Sequence, residues 1–399
     1  MILKNQGRYK KTILTMHGAV TFERTMLIGI DKANTKKLEE LTGESSIFPL
    51  DQALGIDKIP FKMTPRMVLT VAKEGVRAKS YREAAITLEE RFDNEFSADL
   101  VRNVTDHVGR IVWADDLKQA RDAEEWLSSH KVDRRKRSHD PEDIIVIGTD
   151  GAYVDTREES WKETKIGLCY NLKDMYTWNC ANGDIGRRIT KKDLVAYIGK
   201  SEDFKYHFLA LGLRNDIYTH HQIISITDGA PWIARMIEDL FPGSVHIVDL
   251  YHVKEKIGKF GKLHVRGRHK REEWIAKVNE LVEAGDIESA LKLIEPYCAA
   301  NNKDDDTNLY AYIKKRKDKM RYNEYKAKGY PVGSGAQESA NKYGMQDRMT
   351  LQGQRWLKER GQGVLACKCR YESNRWDTVE HLVFEEYGTP IAVIKVVLQ

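Results

Sequence analysis

The sequence predicts an α/β protein with an α-helical insertion, preceded by a mainly helical region, and three observations carry that prediction. Two β-branched runs each deliver an aspartate onto a glycine: Ile144-Ile-Val-Ile-Gly-Thr-Asp150-Gly151 and Ile223-Ile-Ser-Ile-Thr-Asp228-Gly229. Between residues 144 and 249 the strand patterns come first in succession and then alternate with helical ones. After His252 the chain reads as helical and basic to about Tyr330, and a long helical pattern resumes behind Gly333-Ser334-Gly335.

In chain order, Lys11 to Ile28 reads as two short strands around His17-Gly18, and Pro49, Gly55 and Pro60 punctuate a loop. A helix is expected from Pro65, behind Thr64 as N-cap. A second begins at Ser80, where Ser80 and Glu83 have capping-box spacing and Tyr81, Ala84, Ala85, Leu88 and Phe92 recur at helical intervals. A short turn, Asp93 to Phe96, leads into a third helix through Leu100, Val101, Val104 and Val108. Helix, tight turn, helix is compatible with a DNA-reading helix-turn-helix, and equally with a plain helical hairpin. On the DNA-reading alternative, Arg102, Asn103 and His107 are the candidate contacts.

Residues 132–143 have the composition of a charged linker, in which Arg134, Arg135, Lys136 and Arg137 are either a solvated face or an arm beside a polyanion. The expected strands behind it are Ile144–Thr156, Glu163–Asn171 and Met175–Cys180, followed by a helix over Lys191–Leu213, the Asp228 strand, a helix from Trp232 to Phe241 and a strand from Val245 to Leu250. Three hairpin-connected strands followed by strand–helix alternation is the ribonuclease-H-like order, and a doubly wound parallel sheet would not begin that way. The expected domains are a β-hairpin region and loop (1–60), a helical, helix-turn-helix-like region (61–131), the basic linker (132–143), a ribonuclease-H-like catalytic domain (144–252 with 331–372), a helical insertion (253–330) and a C-terminal tail (373–399).

Composition sets limits. With 41% hydrophobic and 31% charged residues over 399 positions, the chain can bury more than one core. A net charge of +5 permits a nucleic-acid partner without pointing to one. Five cysteines (Cys169, Cys180, Cys298, Cys367 and Cys369) lack zinc-site spacing and read as reduced thiols in a cytoplasmic protein. No apolar run approaches the roughly 20 residues of a membrane span.

Paired strand-end aspartates suit a hard divalent cation, because Mg²⁺ takes carboxylate oxygen rather than thiolate or imidazole. Two-metal phosphoryl transfer needs a further acid, and Glu338, in the first turn behind Gly333-Ser334-Gly335, is the best placed. An acid at a helix start is also favoured by the helix dipole alone. Asp249 and His252 form a second pair, read either as an element that orients the site or holds a phosphate, or as a buried Asp–His hydrogen bond at a strand end. Arg348 and Arg355, seven apart on the expected long helix, share a face that could grip phosphates, and Trp356 either stacks on a base or fills core.

Several of these segments resemble bacterial insertion-sequence DDE transposases of the ISKra type, with the Lre type as a near relative. The resemblance lies in Asp228-Gly-Ala-Pro-Trp-Ile233, Asp249-Leu-Tyr-His252, Pro331-Val-Gly-Ser-Gly-Ala-Gln-Glu-Ser339, Gln346-Asp-Arg-Met349 and Gly353-Gln-Arg-Trp356, with weaker likeness at Leu50-Asp-Gln-Ala-Leu-Gly55 and Lys79-Ser-Tyr-Arg-Glu-Ala-Ala85. It implies that Asp150, Asp228 and Glu338 are catalytic metal ligands for two Mg²⁺ ions, with Mn²⁺ able to substitute, and that residues 253–330 are the insertion such enzymes carry. It implies a partner too, double-stranded DNA at terminal inverted repeats and at a target, with a homo-oligomer formed on DNA. Cysteine pairs common near the N-terminal strands of such relatives are missing, which puts end recognition by that region in doubt. Two further readings stay open: a catalytically inactive, transposase-derived DNA-binding protein, and a ribonuclease-H-like nuclease without strand transfer.

Overall fold

The computed structural model describes residues 1–129, 137–179, 185–298 and 308–387. Arg134, Arg135 and Lys136 of the expected basic arm, Cys180, and residues 301–307 lie outside the described residues. The chain divides into two compact units, Met1–Asp116 with Asp347–Gln399, and Leu117–Gln346. Residues 347–372 therefore fold with the N-terminal segment, whereas sequence reasoning had joined them to the aspartate strands.

In the first unit, β1 (Leu3–Thr15) and β2 (Gly18–Gly29) form one long antiparallel hairpin, with β3 (Ser46–Ile47) on its edge. Helix Pro65–Arg77 starts as expected, with Pro65 in the first turn, where its missing N–H costs nothing. Helix Tyr81–Phe92 is capped by Ser80, whose Oγ accepts the Glu83 N–H at 3.1 Å, while Glu83 reaches back to the Lys79 N–H at 3.0 Å. The next helix, Ala98–Ser129, runs 32 residues. It crosses helix Lys358–Glu372 at Gly109 and Gly363, where a Cβ on either glycine would fall 2.9 Å from the other's backbone. On the latter helix Arg370 is buried and donates to Asp115 and Asp116 at 2.6 and 2.7 Å.

The second unit holds a five-stranded sheet and a separate two-stranded hairpin. The strands are β4 (Ile144–Thr156), β5 (Ser160–Asn171), β6 (Met175–Asn179), β7 (Ile185–Ile189), β8 (Asp193–Ile198), β9 (Gln222–Thr227) and β10 (Val245–Val248). β4, β5 and β8 form an antiparallel meander, and β9 and β10 run parallel to β4. The expected third strand at Met175–Cys180 is corrected by this pairing. Its described part, Met175–Asn179, joins the side hairpin, and the sheet position goes to Asp193–Ile198, which sequence reasoning had read as the start of a helix. Burial decides the exchange, since four of the six residues of β8 in a row are buried, whereas β6 is exposed along most of its length. The helix itself spans Ser201–Leu213 and packs Phe204, Phe208, Leu209 and Leu211 with Ile145, Ile147, Ile223 and Phe241. Burying that much apolar side chain, at about 25 cal/mol per Å², dominates what holds the sheet in register.

The expected long helix from Ala336 to Tyr371 is also corrected. It breaks into Gly335–Asn341, a π-helical turn Lys342–Gln346 and a short turn Asp347–Met349, then a loop, before Lys358 starts the next helix. Gly353, at φ +77, turns the chain within that loop. Among the described residues no helix is long and apolar enough to cross a membrane.

Candidate active site

The sheet places three aspartates in a row. β4 and β9 are parallel neighbours, with Gly148 level with Ile226, so Asp150 and Asp228 each sit two residues past that pair. β10 adds Val248 opposite Thr227, and Asp249 follows it, its N–H donating to the Thr227 carbonyl at 2.8 Å. Parallel strands in register deliver their next residues to one edge of the sheet, so three separate sequence positions become neighbours.

Asp150 and Asp228 are both half-buried and line a cleft of about 340 Å³ together with Asp249, His252 and Glu338. Burial pushes the Asp150 carboxyl above the usual carboxylate range. The Gly151 N–H, donating to Oδ1 at 2.7 Å, pulls it back, and the neighbouring Asp228 charge raises it again. Asn341 donates to the other oxygen, Oδ2, at 2.6 Å. Asp228 accepts the Ala230 N–H at 2.8 Å, an Asx-type bond that closes the turn into helix Pro231–Leu240.

Glu338 is exposed on the short helix Gly335–Asn341, which packs against β4 and β5. Gln337 and Asn341, one turn apart, form the buried face of that helix. Gln337 donates to the Ile166 carbonyl of β5 at 3.1 Å, and Gly148 has no Cβ to meet its amide oxygen, which would lie 2.9 Å away. Asp249 fixes the start of the same helix. One of its carboxylate oxygens accepts the Tyr251 N–H at 2.8 Å, and the other accepts the hydroxyl of Ser334, the N-cap of the glutamate helix. The hydrogen bonds of Asp249 thus run to Tyr251 and Ser334, and not to His252. His252 lines the cleft instead, where its electrostatic influence draws the Asp150 carboxyl down.

The insertion holds the Asp228 turn from below. Tyr312, on helix Leu309–Arg316, donates to the Asp228 carbonyl at 2.8 Å, and Arg316 donates to the Gly229 carbonyl at 2.8 Å. Gly229 has φ +82, and a Cβ there would fall 2.8 Å from Nε of Arg316, so both conformation and contact require glycine. Neither Tyr312, Arg316, Ser334 nor Asn341 was singled out by sequence. Only the spacing of Asn341 from Gln337, one helical turn, was available to find any of them.

The donor set of the cleft is carboxylate oxygen, which suits a hard cation, and the mutual charge of Asp150 and Asp228 is what a cation would relieve. As placed, however, no three His, Cys, Asp or Glu side chains among the described residues are grouped closely enough to hold a metal ion. Several expected DNA contacts are corrected by burial. Arg348 is 2% exposed, with its guanidinium 4.3 Å from the Tyr81 ring and 4.9 Å from the Trp356 ring, and it donates to the Gly75 carbonyl at 3.0 Å. Trp356 is buried, and its indole N–H donates to the Met349 carbonyl at 3.1 Å. Arg355 is exposed in the loop and shares no helix with Arg348. His107 stacks on Tyr387 with ring centroids 5.8 Å apart and meets Phe61 edge-on, and burial lowers its pKa. On the same helix Asn103 is exposed, and the half-exposed Arg102 pairs with Asp99 at 3.0 Å. Arg137, the one described member of the basic run's four expected contacts, is half-buried.

A family model matches residues 3–337. The chain belongs to the uncharacterised protein family UPF0236. That UPF0236 span takes in Asp150, Asp228, Asp249 and His252 and ends one residue before Glu338. Among curated proteins, none matches this UPF0236 chain.

Proposed function

We propose that this UPF0236 protein is a DDE-type DNA transposase, acting on terminal inverted repeats through a ribonuclease-H-like catalytic unit. The observation that carries the reading is the level placement of Asp150 and Asp228 on adjacent parallel strands, with Glu338 on a helix packed beside them. The strand order, an antiparallel meander of three followed by two parallel strands, supports the fold assignment. Asp150, Asp228 and Glu338 are the residues that would hold two Mg²⁺ ions, which when bound activate an attacking oxygen and stabilise the leaving one.

The chain's own part is positioning. Gly151 and Asn341 fix the two oxygens of Asp150, so that its carboxylate presents one orientation to the cleft. Ala230, Tyr312 and Arg316 hold the Asp228 turn on three sides. Asp249 is a positioning residue, tying the end of β10 to the start of the glutamate helix through Ser334. Glu338 is exposed, and its side chain would have to turn toward the aspartates to share a metal ion with them.

The spacing of the acids, open rather than drawn into a ligand group, favours a second reading in which the protein binds DNA without cutting it. Cleavage and strand-transfer assays in Mg²⁺ or Mn²⁺, on DNA carrying the sequences that flank the gene, separate the two. Nicking at repeat ends that is lost in Glu338→Gln, with joined products, is the expected result. Binding without cutting in either protein would establish the second reading, and cutting without joined products a nuclease.

A further inference from the structure

We propose that the groove beside the carboxylate cleft, walled by the β6–β7 hairpin, binds the phosphate backbone of the DNA strand as it leaves the acids. The inference rests on the DNA-cutting reading above and adds where the length of the substrate lies. The groove encloses about 730 Å³, with Arg187 and Arg188 of β7 and Lys192 on one side and Tyr251, Tyr343 and the turn at Gly333 on the other. Tyr251 and Glu338 line both the groove and the cleft, so the two spaces are continuous.

Charge in the groove is one-sided. Three cations line it against a single carboxylate, Glu338, which sits at the end shared with the cleft. Arg187 and Arg188 are exposed, and among the described residues no carboxylate pairs with either. Two other arginines of this unit are engaged with protein. Arg214 forks onto Asp193 at 2.6 and 3.0 Å, and Arg316 is buried against the Asp228 turn. Guanidinium groups left unpaired along a groove fit phosphate, which they can hold through paired N–H donors.

The hairpin carries a second, independent feature. Its register sets Met175 opposite Ile189 and Thr177 opposite Arg187 on one face, and Tyr176 opposite Arg188 and Trp178 opposite Gly186 on the other. Tyr176 and Trp178 are 64% and 43% exposed and stack with centroids 6.2 Å apart. The indole lies over Gly186, where a Cβ would fall 2.2 Å from the ring, so glycine makes the seat for it. Two exposed, stacked rings bury little and stabilise little. On the face they share with Arg188, opposite that of Arg187, they form a platform for an unstacked base next to the phosphate that Arg188 grips.

The test compares wild type with Arg187→Ala/Arg188→Ala, Arg187→Lys/Arg188→Lys and Trp178→Ala on a labelled duplex carrying the flanking sequence. Binding is titrated in EDTA against salt, and cleavage is measured separately in Mg²⁺. Loss of two phosphate contacts lowers the log Kd against log salt slope by about 1.8, so the wild-type advantage shrinks roughly tenfold between about 50 and 200 mM salt. The lysine pair should keep the wild-type slope, and Trp178→Ala should weaken binding without changing it. An alanine pair with wild-type slope and affinity overturns the groove assignment even if cleavage is intact, and so does a wild type that binds no DNA. A lysine pair that behaves like the alanine pair also overturns it. A reduced slope in a protein that never cuts supports the groove while removing the transposase reading.

Discussion

Arg348 and Arg188 are both arginines set beside aromatic side chains, and the two regions use them in opposite ways. Arg348 is enclosed between Tyr81 and Trp356, with donors spent on the Gly75 and Lys79 carbonyls. Arg188 stands exposed on the hairpin face that carries the solvent-facing rings of Tyr176 and Trp178. A guanidinium whose N–H groups are directed at main-chain carbonyls fixes the chain, because removing it strands buried acceptors. One whose N–H groups find no protein partner is available to a ligand. Residue type is thus no guide to role here, and the hydrogen-bond inventory is.

The largest expected effect tests that distinction directly. Arg348→Ala should destabilise the first unit by about 3 kcal/mol, since it combines a cavity, lost cation–π contacts and unsatisfied carbonyls. Arg187→Ala/Arg188→Ala should leave the unfolding midpoint within about 0.5 kcal/mol of wild type, as exposed substitutions do. Denaturant unfolding of both proteins checks it, and an equal loss in the two would dissolve the comparison.

Acid should act next most strongly, and on the second unit. Burial pushes His207 down to about 4 and His246 down to about 3. Between the ordinary histidine value near 6.5 and those values, the unfolded chain takes up protons that the fold refuses. The stability is complete above about pH 6.5 and drains away as pH falls, by about 1 kcal/mol for each residue near pH 5.5. Urea midpoints at neutral and at mildly acidic pH should therefore separate, and coincident midpoints would show that both imidazoles charge inside the fold.

A smaller effect of opposite sign is expected at Asp150. Its folded pKa is raised, so the native state holds the proton longer than the unfolded chain, and ionisation at higher pH works against folding. Without divalent cation at neutral pH, Asp150→Asn should raise stability by about 1 kcal/mol, and it should abolish any stabilisation by Mg²⁺. Melting curves in EDTA and in Mg²⁺ check both halves. A fall in EDTA would mean that the bonds from Gly151 and Asn341 outweigh the desolvation of the carboxylate.

The aspartate strands were legible in sequence because a β-branched run followed by Asp-Gly is a local pattern. The glutamate was legible through the glycine turn before it. β8 was not, since Asp193–Ile198 is separated from its following helix by only Gly199 and Lys200, and an unbroken apolar stretch has no period to distinguish strand from helix. The strand expected at Met175–Cys180 is present over Met175–Asn179 but belongs to a hairpin standing apart from the sheet. Arg348 resisted reading for a different reason. Its neighbours Tyr81 and Trp356 lie far off or across a loop in the chain, and nothing within a helical turn of it announces burial.

The bonds that complete the site also set a timetable for the growing polypeptide. Asp150 and Asp228 emerge from the ribosome early, but the brace from Arg316 reaches back 87 positions, and the Asn341 bond to Asp150 reaches back 191. Such distant closures form late, because chain entropy opposes them until the intervening segments have folded. A nascent or prematurely terminated chain therefore carries its aspartates without the parts that orient them. Under the proposed DNA-cutting function, this withholds competence until residue 341 has been made and folded back onto β4.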